Sequence, residues 1–525
     1  MELQEASPVV PAEVHDDVVV RRRARRTAFL AASREGLAAL PSLVATASEA
    51  ALSARRLAGP LPTGKPHDVL AAADAWLGAC ALAAEGIGVE AALRRVAHVL
   101  TEYGIDLAHP RAAAHLQPPA LAVAVAADAL ASASNASVDT YDSGPSAIAI
   151  ERWLIRVLAD LAGLGRAADG VLTPGGSLSN LLALLLARDA AAHRVHIDAR
   201  RDGVHALPSP VVFCSEHAHF STHRACAALG LGERAVRTVT TDARRRMVPA
   251  ALLTALGELG PEHTPIAIVA TAGTTDFGSV DPLDELARIA AERGIWLHVD
   301  AAYGFGALFS DRLASSLAGL ARAHSITLDL HKIGWQPAAA SVLLVADAQS
   351  FRALDRDVAY LNPSDDADAG LDGLLGRSLQ TTRRPDAVKM VTTLLAYGRS
   401  GLGAMVDTCH DLARHAERRI EREPRLELVA KVELTTVVFR YRASGAVAAE
   451  AEDAINGMIR RLLLERGIAL IGRTTVRVAT AGAPRVCLKL TLLNPTASCG
   501  DVDDLIYAVL RAGAEAECTG QERRA

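Results

Sequence analysis

The stretch Ser325-Ile326-Thr327-Leu328-Asp329-Leu330-His331-Lys332 decides how this chain is read. Residues 325–329 form a short, mostly apolar run of strand length, which favours a buried strand over an amphipathic helix. A lysine follows almost at once. In α/β sheets, ligand sites form beyond the carboxyl ends of the strands, so Lys332 stands where a ligand would sit. Lysine is scarce here: among 55 basic residues only Lys65, Lys332, Lys389, Lys431 and Lys489 are lysines. Lys65 lies in a Pro/Gly loop, Lys389 and Lys431 are expected on helix and strand surfaces, and Lys489 interrupts a strand. A lysine at a strand end can form an imine with a carbonyl cofactor such as pyridoxal phosphate. Taken alone, it is better explained as an exposed loop residue.

The flanking segments change that balance. Ile295-Trp296-Leu297-His298-Val299-Asp300 is another buried strand, ending in a carboxylate on the same rim as Lys332. An aspartate there could keep a pyridine nitrogen protonated, so that the ring accepts electrons from a developing carbanion. Thr173-Pro174-Gly175-Gly176-Ser177 opens a helix, where exposed backbone N–H groups and the helix dipole favour a phosphate. Gly175, Gly176 and Ser177 are therefore candidate phosphate donors. His217, His219 and His223 cluster closely enough to suggest a metal. Their spacing lacks the aspartate of H-x-H-x-D-H, and no H-E-x-x-H occurs. One imidazole stacked on a cofactor ring is the preferred reading, with no metal.

Further strands are expected at 210–214, 266–271 and 341–345. A helix between the second of these and 295–300 has Asp281 as N-cap, Pro282 at its first position and Gly294 past its end. Strands alternating with helices predict a largely parallel sheet covered on both faces. Before it, 118–192 reads as long helices. After it, a long helix at 386–422 and strands at 434–441 and 486–492 predict a smaller α+β domain. The expected division is a loose extension over 1–25, a helical segment over 26–117, a large domain over 118–385 and a small one over 386–525.

Composition narrows the function. The 525 residues are 50% hydrophobic and 22% charged, with a net charge of −5 and only 4% aromatics. That excludes a disordered or collagen-like chain and lacks the basic footprint of a nucleic-acid binder. The seven cysteines, Cys80, Cys214, Cys226, Cys409, Cys487, Cys499 and Cys518, are scattered, without C-x-x-C. They read as buried free thiols in a reducing compartment. Charged residues are expected to interrupt every apolar run before it reaches membrane-spanning length. Arg25-Arg26 before Phe29-Leu30 superficially suggests a twin-arginine signal, but Arg34 and Glu35 break the apolar region that must follow. The expectation is a cytoplasmic protein.

Taken in order, segments 173–188, 215–225, 270–282, 298–304, 325–337 and 379–389 resemble the group II pyridoxal-phosphate-dependent amino-acid decarboxylases. The likeness runs from about residue 109 to the C-terminus. It implies an aspartate-aminotransferase-like, fold-type-I α/β enzyme: a large, mostly parallel seven-stranded sheet, a helical N-terminal segment and a small α+β C-terminal domain. It further implies pyridoxal 5'-phosphate as cofactor and a homodimer whose subunits share their active sites. By the resemblance, Lys332 is the Schiff-base lysine, Asp300 the partner of the pyridinium nitrogen and His219 the ring-stacking histidine. Ala302 is the small residue beneath the ring and Thr271 the threonine at its polar edge. Gly176, Ser177, Asp329 and His331 match positions around the phosphate or beside the lysine.

The resemblance also bears on the reaction. Tyr360, in Ala359-Tyr360-Leu361-Asn362-Pro363, matches a mobile-loop tyrosine that protonates the α-carbon after carbon dioxide leaves. The Gly/Asp-rich 365–376 segment suits a lid. Relatives that make aldehydes oxidatively tend to lack the tyrosine or the histidine, so simple decarboxylation is favoured. The greatest likeness is to the branch acting on basic diamino acids: L-2,4-diaminobutyrate decarboxylases and siderophore-pathway lysine decarboxylases. It rests on Asp329-Leu330-His331-Lys332 with Gln336-Pro337, on Tyr360-Leu361-Asn362-Pro363, and on Leu379-Gln380-Thr381-Thr382-Arg383-Arg384. His115, Asn135 and Arg383 are the matching substrate candidates. The branch usually has an aromatic pair at Gly334-Trp335 and Gln-Ser at Ser143-Gly144. The expected activity is therefore decarboxylation of diaminobutyrate, lysine or ornithine. The alternatives are an aromatic or acidic amino acid as substrate, or a pyridoxal-phosphate-dependent aldehyde synthase.

Overall fold

The computed structural model describes residues 30–78, 82–356, 358, 360, 361, 363–445, 447–478 and 482–522. The 1–25 extension, Arg25-Arg26, Cys80, Ala359 and Asn362 lie outside them. The described chain opens with helices α1 (Arg34–Ala54), α2 (Pro66–Leu77) and α3 (Val89–Glu102). Ser33 caps α1, its hydroxyl accepting the Gly36 N–H at 2.9 Å. Between Gly36 and Ser53 the only charge is Glu49. By length and composition α1 could therefore cross a membrane, contrary to the expectation that charges interrupt every such run. It packs against α3.

Strand β1 (Ala112–Ala113), α4 (Ala122–Ser134) and α5 (Pro145–Leu161) follow. Then come β2 (Asp169–Thr173), α6 (Gly176–Arg194), β3 (Pro210–Ser215), α7 (Ser221–Ala228) and β4 (Val236–Val239). After α8 (Pro249–Gly257), the alternation continues with β5 (Thr264–Thr271), α9 (Leu283–Arg293), β6 (Trp296–Asp300), β7 (Ser325–Asp329) and β8 (Ser341–Val345). These strands make a seven-stranded sheet in the order β2-β8-β7-β6-β5-β3-β4, in which β8 alone runs against its neighbours. Successive strand residues enter opposite cores. Val211 and Phe213 pack on one side, while Val212 and Cys214 pack on the side covered by α6. Burial on both faces explains why the strands read as continuous apolar runs.

The long α10 (Ala387–Arg422) kinks at Gly398, whose φ of 61° favours glycine. Its first half packs through Met390 and Leu402 against the large core. Its second half packs through Leu412 and Ile420 against a smaller one. That smaller core is built on β9 (Leu426–Leu428), β10 (Thr436–Tyr441), α11 (Ala449–Glu465), β11 (Leu470–Arg477), β12 (Pro484–Thr491) and α12 (Cys499–Glu522). The strand order is β1-β11-β12-β10-β9, so a strand from the N-terminal half completes the C-terminal sheet.

Several local expectations need correction. Strand β2 lies inside a stretch expected to be helical. Residues 170–173 of it are buried at the edge of the sheet beside β8, which leaves no polar alternation to read. Asp281 does not cap α9 through its side chain. Its buried carboxylate accepts the Met247 and Thr271 backbone N–H groups, each at 2.7 Å, and burial raises its pKa to about 6. Lys389 is not a surface residue. It is fully buried, with Nζ 3.2 Å from Asp128 and 3.1 Å from Asp386. Cys214, Cys226, Cys409 and Cys487 are buried thiols, whereas Cys499 and Cys518 are exposed.

Candidate active site

The strand register assembles the site before any loop contributes. At the carboxyl rim Thr271 of β5 pairs with Asp300 of β6, and Asp300 with Thr327 of β7. Asp329 pairs with Ser341, which in turn pairs with Thr173 of β2. From Thr173 the chain turns through Gly175 into α6, bringing that helix's N-terminus to the same rim. Gly176 is dictated by space. A Cβ there would lie 3.0 Å from both Asp329 carboxylate oxygens and 3.3 Å from the Ala302 Cβ.

The rim encloses a cavity of about 250 Å³ lined by Gly175, Gly176, Ser177, His219, Thr271, Asp300, Ala302, Asp329, His331 and Lys332. The ten cofactor candidates thus meet in one place. Lys332 Nζ lies 2.8 Å from Asp329 Oδ2, and the Ser341 hydroxyl donates to Asp329 Oδ1 at 2.5 Å. A carboxylate has no hydrogen to give a phosphate. Asp329 therefore suits the role of counter-ion to the lysine, not that of phosphate donor. His331 Nε2 is 3.6 Å from the same carboxylate, and burial lowers its pKa.

Across the cavity, the buried Asp300 accepts the Ala302 N–H through Oδ1 at 3.1 Å and the Asn180 amide through Oδ2 at 2.8 Å. His219 Nδ1 lies 2.8 Å from Ser221 Oγ, and burial lowers the imidazole's pKa despite the nearby Asp300 charge. Thr271 Oγ1 is buried and has no partner in the described residues. A buried hydroxyl left unpaired is costly, and a polar ligand in the cavity would satisfy it.

Four candidates lie elsewhere. Tyr360 is 84% exposed, and neither it nor His115, Asn135 or Arg383 lines the cavity. His115 is exposed, and Asn135 ends α4 in the left-handed conformation, φ 48°. Arg383 is buried, with Nη1 2.8 Å from Glu151 Oε1, so its charge is already matched within the chain. His217 packs edge-on to Phe277. Among the described residues no group of three His, Cys, Asp or Glu is placed to hold a metal ion.

Sequence reading missed Asn180, His298 and Tyr303. Tyr303 follows Ala302, and its hydroxyl lies 2.7 Å from Thr435 Oγ1 and accepts the Thr435 N–H, tying the rim to the small sheet. The signal for Asn180 was its position one turn into α6, four residues after Gly176. The two departures from the branch also have local reasons. A Cβ at Gly144 would meet Ser137 O at 2.3 Å and one at Gly334 would meet Leu330 O at 2.6 Å, while the Trp335 indole donates to Leu493 O at 2.8 Å.

The cavity fits pyridoxal phosphate. It offers a lysine for the aldehyde, a carboxylate for the ring nitrogen, a helix N-terminus free of side-chain bulk for the phosphate, and an unpaired hydroxyl. Fold and site together define a fold-type-I pyridoxal-phosphate enzyme. A family profile described as "Pyridoxal-dependent decarboxylase conserved domain" matches residues 90–442. The chain belongs to this family and is a pyridoxal-phosphate-dependent amino-acid decarboxylase. Two relatives are L-2,4-diaminobutyrate decarboxylases. That of Rhizobium meliloti (strain 1021) is 41% identical over 81% of this chain and 82% of its own length. That of Acinetobacter baumannii is 34% identical over 82% and 85%. A similar crystal structure is the glutamate decarboxylase domain of diaminobutyrate-pyruvate transaminase and L-2,4-diaminobutyrate decarboxylase from Vibrio parahaemolyticus. It is 31% identical, covers 92% of this chain and 97% of its own, and has a TM-score of 0.80.

Proposed function

We propose that this enzyme decarboxylates a basic diamino acid, with 2,4-diaminobutyrate the first candidate and lysine and ornithine next, and that it works as a cytoplasmic homodimer. The observation that carries the chemistry is the placement of Lys332 Nζ and the Asp300 carboxylate around one cavity whose remaining wall is small or polar. The likeness to the two diaminobutyrate decarboxylases carries the substrate class. When bound, pyridoxal phosphate supplies an aldehyde for the substrate amine and a ring that takes up the electron pair left as carbon dioxide departs. Lys332 would hold the cofactor through its aldehyde, with Asp329 as the counter-ion of its amine. Asp300 keeps a proton on the ring nitrogen, which raises the ring's capacity for that electron pair. His219 would pack against the ring, and Ala302, with only a methyl side chain, would leave room for it. Gly176 and Ser177 give backbone N–H groups to the phosphate.

Tyr360 would return a proton to the α-carbon, with His219 beside it as a hydrogen-bond donor. Tyr360 is exposed in the single chain, so in this reading it serves the site of a second copy. Leu37, Val44 and Leu52 of α1, with Val96 and Leu100 of α3, are exposed apolar residues that support such an interface. The test is an amine-product screen of the pyridoxal-phosphate-loaded protein against diaminobutyrate, ornithine, lysine, glutamate and aromatic amino acids. A diamine from one of the first three is expected. Tryptamine or γ-aminobutyrate as the main product would overturn the substrate class, and aldehyde with peroxide would overturn the reaction.

A further inference from the structure

Asp300 and His219 come from different strands' ends, yet a single side chain joins them. Asn180, in the second turn of α6, is buried and reaches Asp300 directly and His219 through Ser221. The polarity of its contacts is fixed from the charged end. An ionised Asp300 Oδ2 only accepts, so the Asn180 atom 2.8 Å away is the amide nitrogen. Asn180 Oδ1 therefore faces His298 Nε2 at 3.0 Å, and that nitrogen must carry the hydrogen. Burial keeps His298 neutral, so its Nδ1 accepts from the Ser325 hydroxyl at 2.9 Å. Ser325 Oγ accepts in turn from the Trp296 indole at 2.8 Å.

In the other direction the second amide hydrogen of Asn180 goes to Ser221 Oγ at 2.9 Å. The Ser221 hydroxyl proton is then directed to His219 Nδ1 at 2.8 Å. The Ser221 backbone N–H, which can only donate, meets the same nitrogen at 3.3 Å. His219 Nδ1 is thus an acceptor twice over, and the ring's hydrogen belongs on Nε2.

We propose that Asn180 is a positioning residue: one amide hydrogen orients Asp300, and the other, through Ser221, holds His219 as the Nε2–H tautomer. His219 then meets a bound substrate as a hydrogen-bond donor and not as a base. The inference rests on the roles given above to Asp300 and His219. It adds a residue that fixes both at once, anchored through His298 and Ser325 to Trp296 in the sheet.

The test is long-range ¹H–¹⁵N correlation on ¹⁵N-histidine-labelled protein, with and without added pyridoxal phosphate. His219 signals are identified by their loss in His219→Gln. The expected wild-type pattern has a protonated Nε2 and an unprotonated Nδ1. In Asn180→Leu the Nδ1 signal should move as the Ser221 hydroxyl is released. With cofactor loaded, its absorption band should shift and kcat should fall about 100-fold with KM little changed. Should Asn180→Leu fail to fold, Ser221→Ala must move the His219 signals while leaving the Asn180–Asp300 contact in place. A protonated Nδ1 in the wild-type protein, or His219 signals unmoved in the variants, overturns the proposal. Failure to bind pyridoxal phosphate overturns the cofactor roles instead, and the cofactor-free spectra still decide the tautomer.

Discussion

The carboxyl rim of the large sheet and the surface carrying Tyr360 and helices α1 to α3 are built on opposite plans. At the rim, Thr271, Asp300 and Asp329 are buried, and strand register sets their spacing. Asp300 and Asp329 spend their lone pairs on partners within the chain. Tyr360 is 84% exposed, and α1 presents Leu37, Val44 and Leu52 to solvent. In the reading proposed above, one chain therefore completes the half of the site that holds a cofactor but not the half that returns a proton. Rigid placement and water exclusion, the requirements of the first half, are what a packed sheet supplies.

The largest expected effect tests the rim. Lys332→Ala should abolish both decarboxylation and the absorption band of the lysine-linked cofactor. Asp329, which then loses its counter-ion, remains buried against Ser341. An unchanged spectrum would show that the cofactor is held elsewhere and would dissolve the contrast. Mixing this variant with Tyr360→Phe sharpens the comparison. Each alone should be nearly inactive, but random re-pairing puts one intact site in each mixed dimer. About a quarter of wild-type activity should return. No recovery in a mixture shown to exchange subunits would place Tyr360 and Lys332 in the same chain's site.

The two regions also differed in how far they could be read from sequence. The rim was legible because each of its groups ends an apolar run: Asp300 after 295–299, Asp329 after 325–328, Thr271 after 266–270. What stayed hidden was set by tertiary contact. Asn180 and His298 look like ordinary members of a helix and a strand, and only packing brings them within 3.0 Å. Lys389 was expected at the surface, because nothing local shows that Asp128, 261 positions earlier by numbering, closes over it. Strand β2 was lost in a helical stretch for the same reason. The resemblance reached His115, Asn135 and Arg383, but the rim cavity does not gather them. Arg383 instead neutralises the buried Glu151.

The smallest expected effect concerns the floor of the rim and is read as stability. Burial lowers the His298 pKa from 6.5 to about 4. An unfolded chain therefore takes up a proton at this residue as pH falls through 6.5, while the folded chain resists until about 4. The sign follows: more protons bound in the unfolded state means that stability is lost as pH falls across this window and regained as it rises. The loss amounts to about 3 kcal/mol between the two values. His298→Gln keeps a donor for Asn180 and cannot be protonated, so its unfolding free energy should fall less steeply between pH 6.5 and 4, by about that amount. Denaturant midpoints of the two proteins across this range measure the difference. Equal slopes would mean that His298 is charged in the fold. Both its nitrogens would then donate, Ser325 would accept from Trp296 and His298 alike, and the rim would carry an extra positive charge beneath Asp300. The contrast between a rim whose His298 floor is neutral and an open outer surface depends on the slopes differing.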